Sequence, residues 1–163
     1  ITGRDPRYLL DKDQGGCILD TGCYCINFIQ DVLGKEGTIE SLDYRLINGV
    51  ESFVDCKLKI NGAIGEIVCG IDQKEPKNGY IKGTKGTISI KDFHRPVTIK
   101  VETVDESYEE SVPYDKDDFY TEIKEVNDAY LAGKVQSDIM SFEDSIALSK
   151  MMDKIKAQIG QGK

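Results

Sequence analysis

Asp20 and Tyr24 place a carboxylate and a phenol four residues apart within Gly15-Gly16-Cys17-Ile18-Leu19-Asp20-Thr21-Gly22-Cys23-Tyr24-Cys25-Ile26-Asn27. On a helix this spacing brings two side chains onto one face, one turn apart. A phenol can exchange a proton with an alcohol or carbonyl oxygen, and a carboxylate beside it can orient the group or hold a substrate hydroxyl. Phenols in water ionise only near pH 10, so general-base work near neutrality needs a cation close by, such as a lysine. Asn27 and Asp31 extend the same polar stripe. A polyhydroxylated ligand needs several such partners to replace its water. The same spacing also fits an amphipathic helix whose solvated face simply carries Asp20 and Tyr24. Gly22 sits between the two. A mid-helix glycine costs roughly 1 kcal/mol against alanine, so the close approach of a ligand or a second element to the backbone is expected there.

The elements that must position this stripe can be read from period and turn chemistry. After a loop through Pro6 and Asp13, the spacing predicts a helix from about Gly16 to Leu33, stopped by Gly34. Leu19, Cys23, Ile26, Ile29 and Leu33 make its apolar stripe. Leu42, Tyr44 and Leu46 then alternate with polar residues, as do Cys56, Leu58 and Ile60, and Asn61-Gly62 offers a tight hairpin turn. Residues 63–71 carry apolar side chains on both faces, which predicts a central strand or a covered face. Ile88 and Ile90, then Val97, Ile99 and Val101, alternate in two further strands. Short links argue for an antiparallel sheet. The acid-rich residues 102–118 read as a loop. A helix follows over about 117–132, with Phe119, Ile123, Val126 and Tyr130 as its stripe and Gly133 as its stop. The last helix opens at Ser141, with Asp144 completing a variant capping box, buries Leu148, Met152, Ile155 and Ile159, and closes at Gly160. The fold class is therefore α+β: an open, mainly antiparallel sheet with helices packed on one face.

Other candidate chemistry reads as structural. His94, the single histidine, lies beside Arg95-Pro96 between two strands and is expected to be a turn residue. Gly83-Thr84-Lys85-Gly86 lacks the spacing of a phosphate loop and precedes a strand rather than a helix, so it reads as a hairpin. Asp115 to Asp118 lack the spaced ligands and central glycine of a calcium loop. Cys23 and Cys25 point to different sides of a helix and have no second pair, so no metal is expected.

The chain has 163 residues, 39% of them hydrophobic, and a net charge of −8. That balance disfavours nucleic-acid and anionic-membrane partners. No apolar run approaches the ~20 residues of a spanning helix, and no signal peptide is visible. Five cysteines, an odd number lying mostly in apolar settings, read as reduced core residues of a cytoplasmic protein.

Gly-Gly-x-x-x-Asp-x-Gly-x-Tyr before an amphipathic helix resembles the start of the C-terminal domain of the Gfo/Idh/MocA oxidoreductases, the family of glucose–fructose oxidoreductase and the inositol and dihydrodiol dehydrogenases. Arg7, upstream of Asp20, falls where many members carry an arginine. Ile81 to Ile88 is similar to the family's strand–turn–strand late in the sheet, and Ser137-Asp138 through Met152-Asp153-Lys154-Ile155 to its closing helix. The resemblance implies that residues 1–163 form a substrate-binding and dimerisation domain. Tyr24 and Asp20 would be catalytic, and Asp20, Tyr24, Asn27 and Arg7 would bind a sugar, cyclitol or diol. It also implies a homodimer through the open sheet face, to which Ile47 and Val68 contribute. NAD or NADP would be bound elsewhere. The chain opens on Ile1, without a Gly-x-Gly-x-x-Gly turn or a Glu-Lys-Pro lysine, so the nucleotide-binding half is expected outside it, and this polypeptide alone is expected to be inactive. A non-catalytic binding or oligomerisation module of the same fold, or a free-standing binding module, is the alternative.

Overall fold

The computed structural model describes the backbone of residues 6–73 and 76–161, and the side chains of all of these except Pro6, Arg7 and Gln161. They fall into two compact units, residues 1–75 with 141–163 and residues 76–140.

The first unit is built on three antiparallel strands, β1 (Thr38–Ile47), β2 (Val50–Ile60) and β3 (Ala63–Gly70), in the order β1-β2-β3. Both connections are two-residue Asn-Gly turns with left-handed backbone, φ 54° and 83° at Asn48-Gly49 and 50° and 83° at Asn61-Gly62. This turn twists in the sense of the strands it joins. Alternation along β2 buries Val54, Cys56, Leu58 and Ile60 on one face and leaves Lys57 and Lys59 on the other. Helices α1 (Cys23–Leu33) and α3 (Phe142–Gln161) cover the buried face, adding Ile26, Ile29, Met151, Ile155 and Ile159 to the core. The expected α+β layer, with helices on one face of an open antiparallel sheet, is the architecture observed.

Several details differ from the sequence reading. β3 is an edge strand, not a central one, and Ile64 and Val68 on its second face are exposed. Burial on one face already satisfies a hairpin strand, so apolar residues on both faces did not require a neighbour on each side. In α3 the buried stripe is Met151, Ile155 and Ile159, with Leu148 and Met152 at its margins. Gly160 does not close that helix, because its backbone never turns left-handed and the helix continues to Gln161. Gly34, at φ 114°, and Gly133, at φ 71°, do act as stops.

The second unit is a four-stranded antiparallel meander, β4 (Gly79–Lys82), β5 (Gly86–Ile90), β6 (Thr98–Thr103) and β7 (Ser107–Ser111), followed by α2 (Asp118–Leu131). Gly83 N–H donates to Gly86 O at 2.9 Å, closing the expected hairpin. His94 lies in the turn between β5 and β6, as expected. β7 and the end of β6 occupy part of the stretch read as loop. All five β7 residues are exposed, so this edge strand is held by its backbone ladder to β6 and lacks an apolar alternation to reveal it. Asp117 caps α2 by accepting from Tyr120 N–H at 2.7 Å. The α2 stripe of Phe119, Ile123, Val126 and Tyr130 is exposed rather than packed, and no described residue of this helix is buried. Too few buried residues exist in this unit to cover both the sheet and the helix.

The N-terminus of α3 carries the expected capping box. Ser141 N–H donates to Asp144 Oδ2 at 2.8 Å, Asp144 N–H donates to Ser141 Oγ at 3.2 Å, and Lys35 Nζ lies 2.6 Å from Asp144 Oδ1. Lys35 first, then Ser141, hold the Asp144 carboxyl well below the usual carboxylate range. A carboxyl depressed in the folded state contributes stability that is complete above its unfolded pKa of about 4 and is lost as pH falls below it. Asp144→Asn is therefore expected to flatten the acid limb of the stability profile. Urea midpoints at pH 7 and pH 3 should lie closer together in the variant than in the wild type.

Candidate functional site

The chain reaches the site through a tight turn. Asp11 Oδ1 accepts from the N–H groups of Asp13 and Gln14, both at 2.9 Å, Gly15 N–H donates to Asp11 O at 2.8 Å, and Gly16 N–H donates to Leu9 O at 2.9 Å. A Cβ on Gly15 would lie 2.5 Å from Leu9 O, and one on Gly16 would lie 2.1 Å from the Glu51 carboxylate. Gly16 also has φ +106°. Glycine is thus required at Gly15 by the close approach of backbone atoms and at Gly16 by its left-handed backbone, with the Glu51 carboxylate seated where a Cβ would be.

From Cys17 the backbone is helical, but its first section, Ile18–Gly22, is a π turn that passes into α1. A π turn closes hydrogen bonds over one more residue than an α turn. The extra residue rotates the helix faces. Ile18, Gly22, Ile26 and Ile29 are buried, whereas Leu19 is exposed and Cys23 half-buried, in place of the expected Leu19–Cys23 stripe. Gly22 packs against β3, since a Cβ there would sit 3.2 Å from Cys69 Sγ and 3.3 Å from Cys17 O. The close neighbour anticipated at this glycine is a second element of the same chain.

The rotation leaves Asp20 and Tyr24 on consecutive turns with both side chains exposed, Tyr24 at 54%. Thr21 Oγ1, between them, donates to Cys17 O at 3.1 Å and so stays on the helix. Asn27 is turned along the helix, its Nδ2 donating to Asp31 Oδ2 at 3.3 Å. Asp31 is pushed up by burial, then by Asp144, with Lys35 opposing. Asn27, Gln30, Asp31, Lys35 and Asp144 enclose about 10 Å³, room for one water and not for a sugar. Asp20 and Tyr24 therefore share the exposed helix start, while Asn27 is engaged one turn further on. Arg7 has its backbone in a 3-10 turn, Pro6–Leu10, and its side chain lies outside the described residues.

All five cysteines are free thiols. Cys17, Cys56 and Cys69 are buried, with Cys69 Sγ 3.7 Å from Cys17 Sγ. Burial pushes Cys56 up to about 11 and Cys25 up to about 12, and the contact with Cys17 followed by burial raises Cys69. Such thiols are poor nucleophiles and poor metal ligands. Among the described residues no three potential ligands converge on one point. No helix among them is long and apolar enough to cross a membrane.

Two features were not read from the sequence. A shallow recess of about 460 Å³ in the second unit is lined by Asn78, Tyr80, Ser89, Lys91, Thr98 and Lys100 among others, residues brought together only by cross-strand register. Glu51, 6% exposed, lies against Gly16, and an isolated acid at a strand start carries no signal of burial.

No protein-family model matches the chain. Among characterised proteins it is 30% identical, over 95% of its length, to trans-1,2-dihydrobenzene-1,2-diol dehydrogenase of Danio rerio, and it spans 49% of that protein. It is 25% identical, over 89% of its length, to the NADP(+)-dependent scyllo-inositol 2-dehydrogenase IolU of Bacillus subtilis, spanning 44% of it. The chain thus spans about half the length of these relatives. Among solved structures, the aldose–aldose oxidoreductase of Caulobacter crescentus superposes with a TM-score of 0.82 at 18% identity, over 99% of this chain and 51% of that one. The 3-ketoreductase KijD10 of Actinomadura kijaniata gives 0.78 at 22% identity, over 94% and 48%. In sequence the chain resembles dehydrogenases of the Gfo/Idh/MocA oxidoreductase type, and its fold is that of their C-terminal domain.

Substitution separates the two requirements on glycine. Gly62→Ala, at φ +83° with nothing within 4 Å of the new Cβ, is expected to cost about 1–2 kcal/mol from its left-handed backbone alone. Gly16→Ala adds the clash with Glu51, so its urea midpoint should fall further than that of Gly62→Ala.

Proposed function

We propose that this chain is the substrate-binding and dimerisation half of an NAD(P)-dependent oxidoreductase acting on an alcohol or carbonyl carbon of a sugar, cyclitol or diol. The observation that carries this reading is the helix start itself. Gly15, Gly16 and Gly22 lock its path, and the faces it leaves to solvent present Asp20 and Tyr24 together. The relatives named above, which act on a cyclic diol and on an inositol, support the substrate class.

In this reading Tyr24 exchanges a proton with the substrate oxygen at its phenol oxygen. Asp20 orients the phenol or accepts from a neighbouring substrate hydroxyl, and Asn27 and Arg7 supply further hydrogen bonds to the ring. The dinucleotide exchanges hydride with the carbon that bears this oxygen. No residue of this chain is assigned to hold it, and it belongs with a nucleotide-binding half whose lysine would tune the phenol. Free thiols throughout favour a reducing, cytoplasmic setting. In the intact protein, Tyr24→Phe is expected to lower kcat by about a hundredfold or more. Near-normal kcat would remove Tyr24 from the mechanism, and a wild type that turns over no member of a sugar and diol panel would favour a non-catalytic binding module.

The uncovered face of the first sheet supports the assembly. Ile47, Ile64 and Val68 are exposed there, beside the Lys57–Glu66 ion pair, which at 3.3 Å lies across β2 and β3. A second copy meeting this face about a two-fold axis would bury them. Val68→Lys is expected to shift the protein toward monomer in sedimentation velocity. A monomeric wild type at micromolar concentration would end the dimer assignment.

A further inference from the structure

We propose that Glu51 is a positioning residue for Asp20 and Tyr24, acting through the backbone of Gly16. The inference rests on the reading of Asp20 and Tyr24 as the working pair. Glu51 is the second residue of β2, between buried Val50 and Ser52 just after the Asn48-Gly49 turn, and is the one charged residue among the described buried ones. Its Oε1 has no hydrogen-bond partner among the described residues, and its nearest countercharge, Lys156 Nζ of α3, is 3.6 Å away. That separation is too long for a hydrogen bond. A buried carboxylate oxygen without a donor is costly, so its retention calls for another account.

The location supplies one. A Cβ built on Gly16 would meet Oε1 at 2.1 Å, the carboxyl carbon at 2.4 Å and Oε2 at 2.9 Å. The carboxylate therefore packs against Gly16 with Oε1 where a Cβ would sit, immediately before the helical backbone begins at Cys17. Gly16 O in turn accepts from Asp20 N–H at 3.2 Å. A continuous path runs from the Glu51 carboxylate through Gly16 to the backbone of Asp20, and from there along the π turn to Tyr24. Lys156 closes the arrangement from α3, so the first strand turn, the helix start and the last helix all bear on one carboxylate. Removing that group frees Gly16 to shift, and the exposed pair shifts with it.

The test uses the intact protein with NADP and, in turn, trans-1,2-dihydrobenzene-1,2-diol and scyllo-inositol. Glu51→Gln is expected to lower kcat by about tenfold or more, because misplacing a reacting group by about 1 Å costs up to roughly a hundredfold. The double variant Glu51→Gln/Lys156→Met removes both charges. It is expected to recover the unfolding midpoint lost in the single variant but not its kcat, since the carboxylate is still missing from Gly16. Recovery of kcat along with the midpoint would reduce Glu51 to charge balance and overturn the inference, as would wild-type kcat in Glu51→Gln. Glu51→Asp, which keeps the charge one methylene short, carries the test if the glutamine variant does not fold; a reduced kcat is expected and a wild-type kcat overturns it. A readout independent of turnover is the Tyr24 ring resonance, assigned by its absence from Tyr24→Phe. It should move in the Glu51 variants, and an unmoved resonance sinks the proposal. Normal turnover by Tyr24→Phe would bring down the proposed function instead, whereas a slow Tyr24→Phe beside a normal Glu51→Gln would remove Glu51 alone.

Discussion

The π turn and helix α1 meet strand β3 at two glycines, one in the turn and one on the strand. Gly65 on the strand lies so close to Ile29 that an added Cβ would be 2.6 Å from it, and Gly22 in the π turn lies under Cys69. With both Cβ atoms gone, the two elements close onto Ile18, Ile26, Ile29, Ile67 and Cys69, which are all buried. Interiors packed at this density leave no room for a helix to rotate about its axis. The faces turned away from the sheet are consequently as fixed as those turned toward it. Asp20 and Tyr24 inherit their orientation from the packing beneath them.

Polar contacts then set the ends of the layer. Gln30, itself buried, donates from Nε2 to Lys35 O at 2.8 Å and to Ala147 O at 3.3 Å, tying the end of α1 to α3. Ser52 Oγ donates to Asp72 Oδ2 at 2.9 Å, and Arg45 pairs with the same carboxylate while its guanidinium lies 4.1 Å over the Phe53 ring. Arg45 first, with Ser52 assisting, holds Asp72 below the usual carboxylate range. This second cluster fixes the exit of β3. Exposed pairs such as Lys59–Glu40 add little by comparison, since solvent screens them and ordering two long side chains costs entropy.

Much of the frame was legible along the chain. The helix bounded by Gly16 and Gly34, the Asn61-Gly62 hairpin, the alternation of β2, the Ser141–Asp144 box and the hairpin at Gly83–Gly86 all rest on contacts within a few residues. Asp20 and Tyr24 were legible as a pair for the same reason. The π turn was not, because Leu19 and Cys23 fit the apolar spacing of a continuous α-helix and only the packing of Gly22 against Cys69 shows which face meets the sheet. β7 was hidden by its exposure, and the edge position of β3 by its apolar residues on both faces.

Turn types, caps and the period of each element follow from chemistry between near neighbours, and so the residues alone settle them, along with the α+β class. Which strand lies at an edge, which helix face is outward, and which acid is buried depend on partners far along the chain. Glu51 shows the difference: nothing beside it in sequence distinguishes it from the exposed acids of β1, and its burial arises only when Gly16 and Lys156 arrive from two other elements. Desolvation is a property of the assembled neighbourhood, so a carboxylate's role becomes visible only once the chain has folded around it.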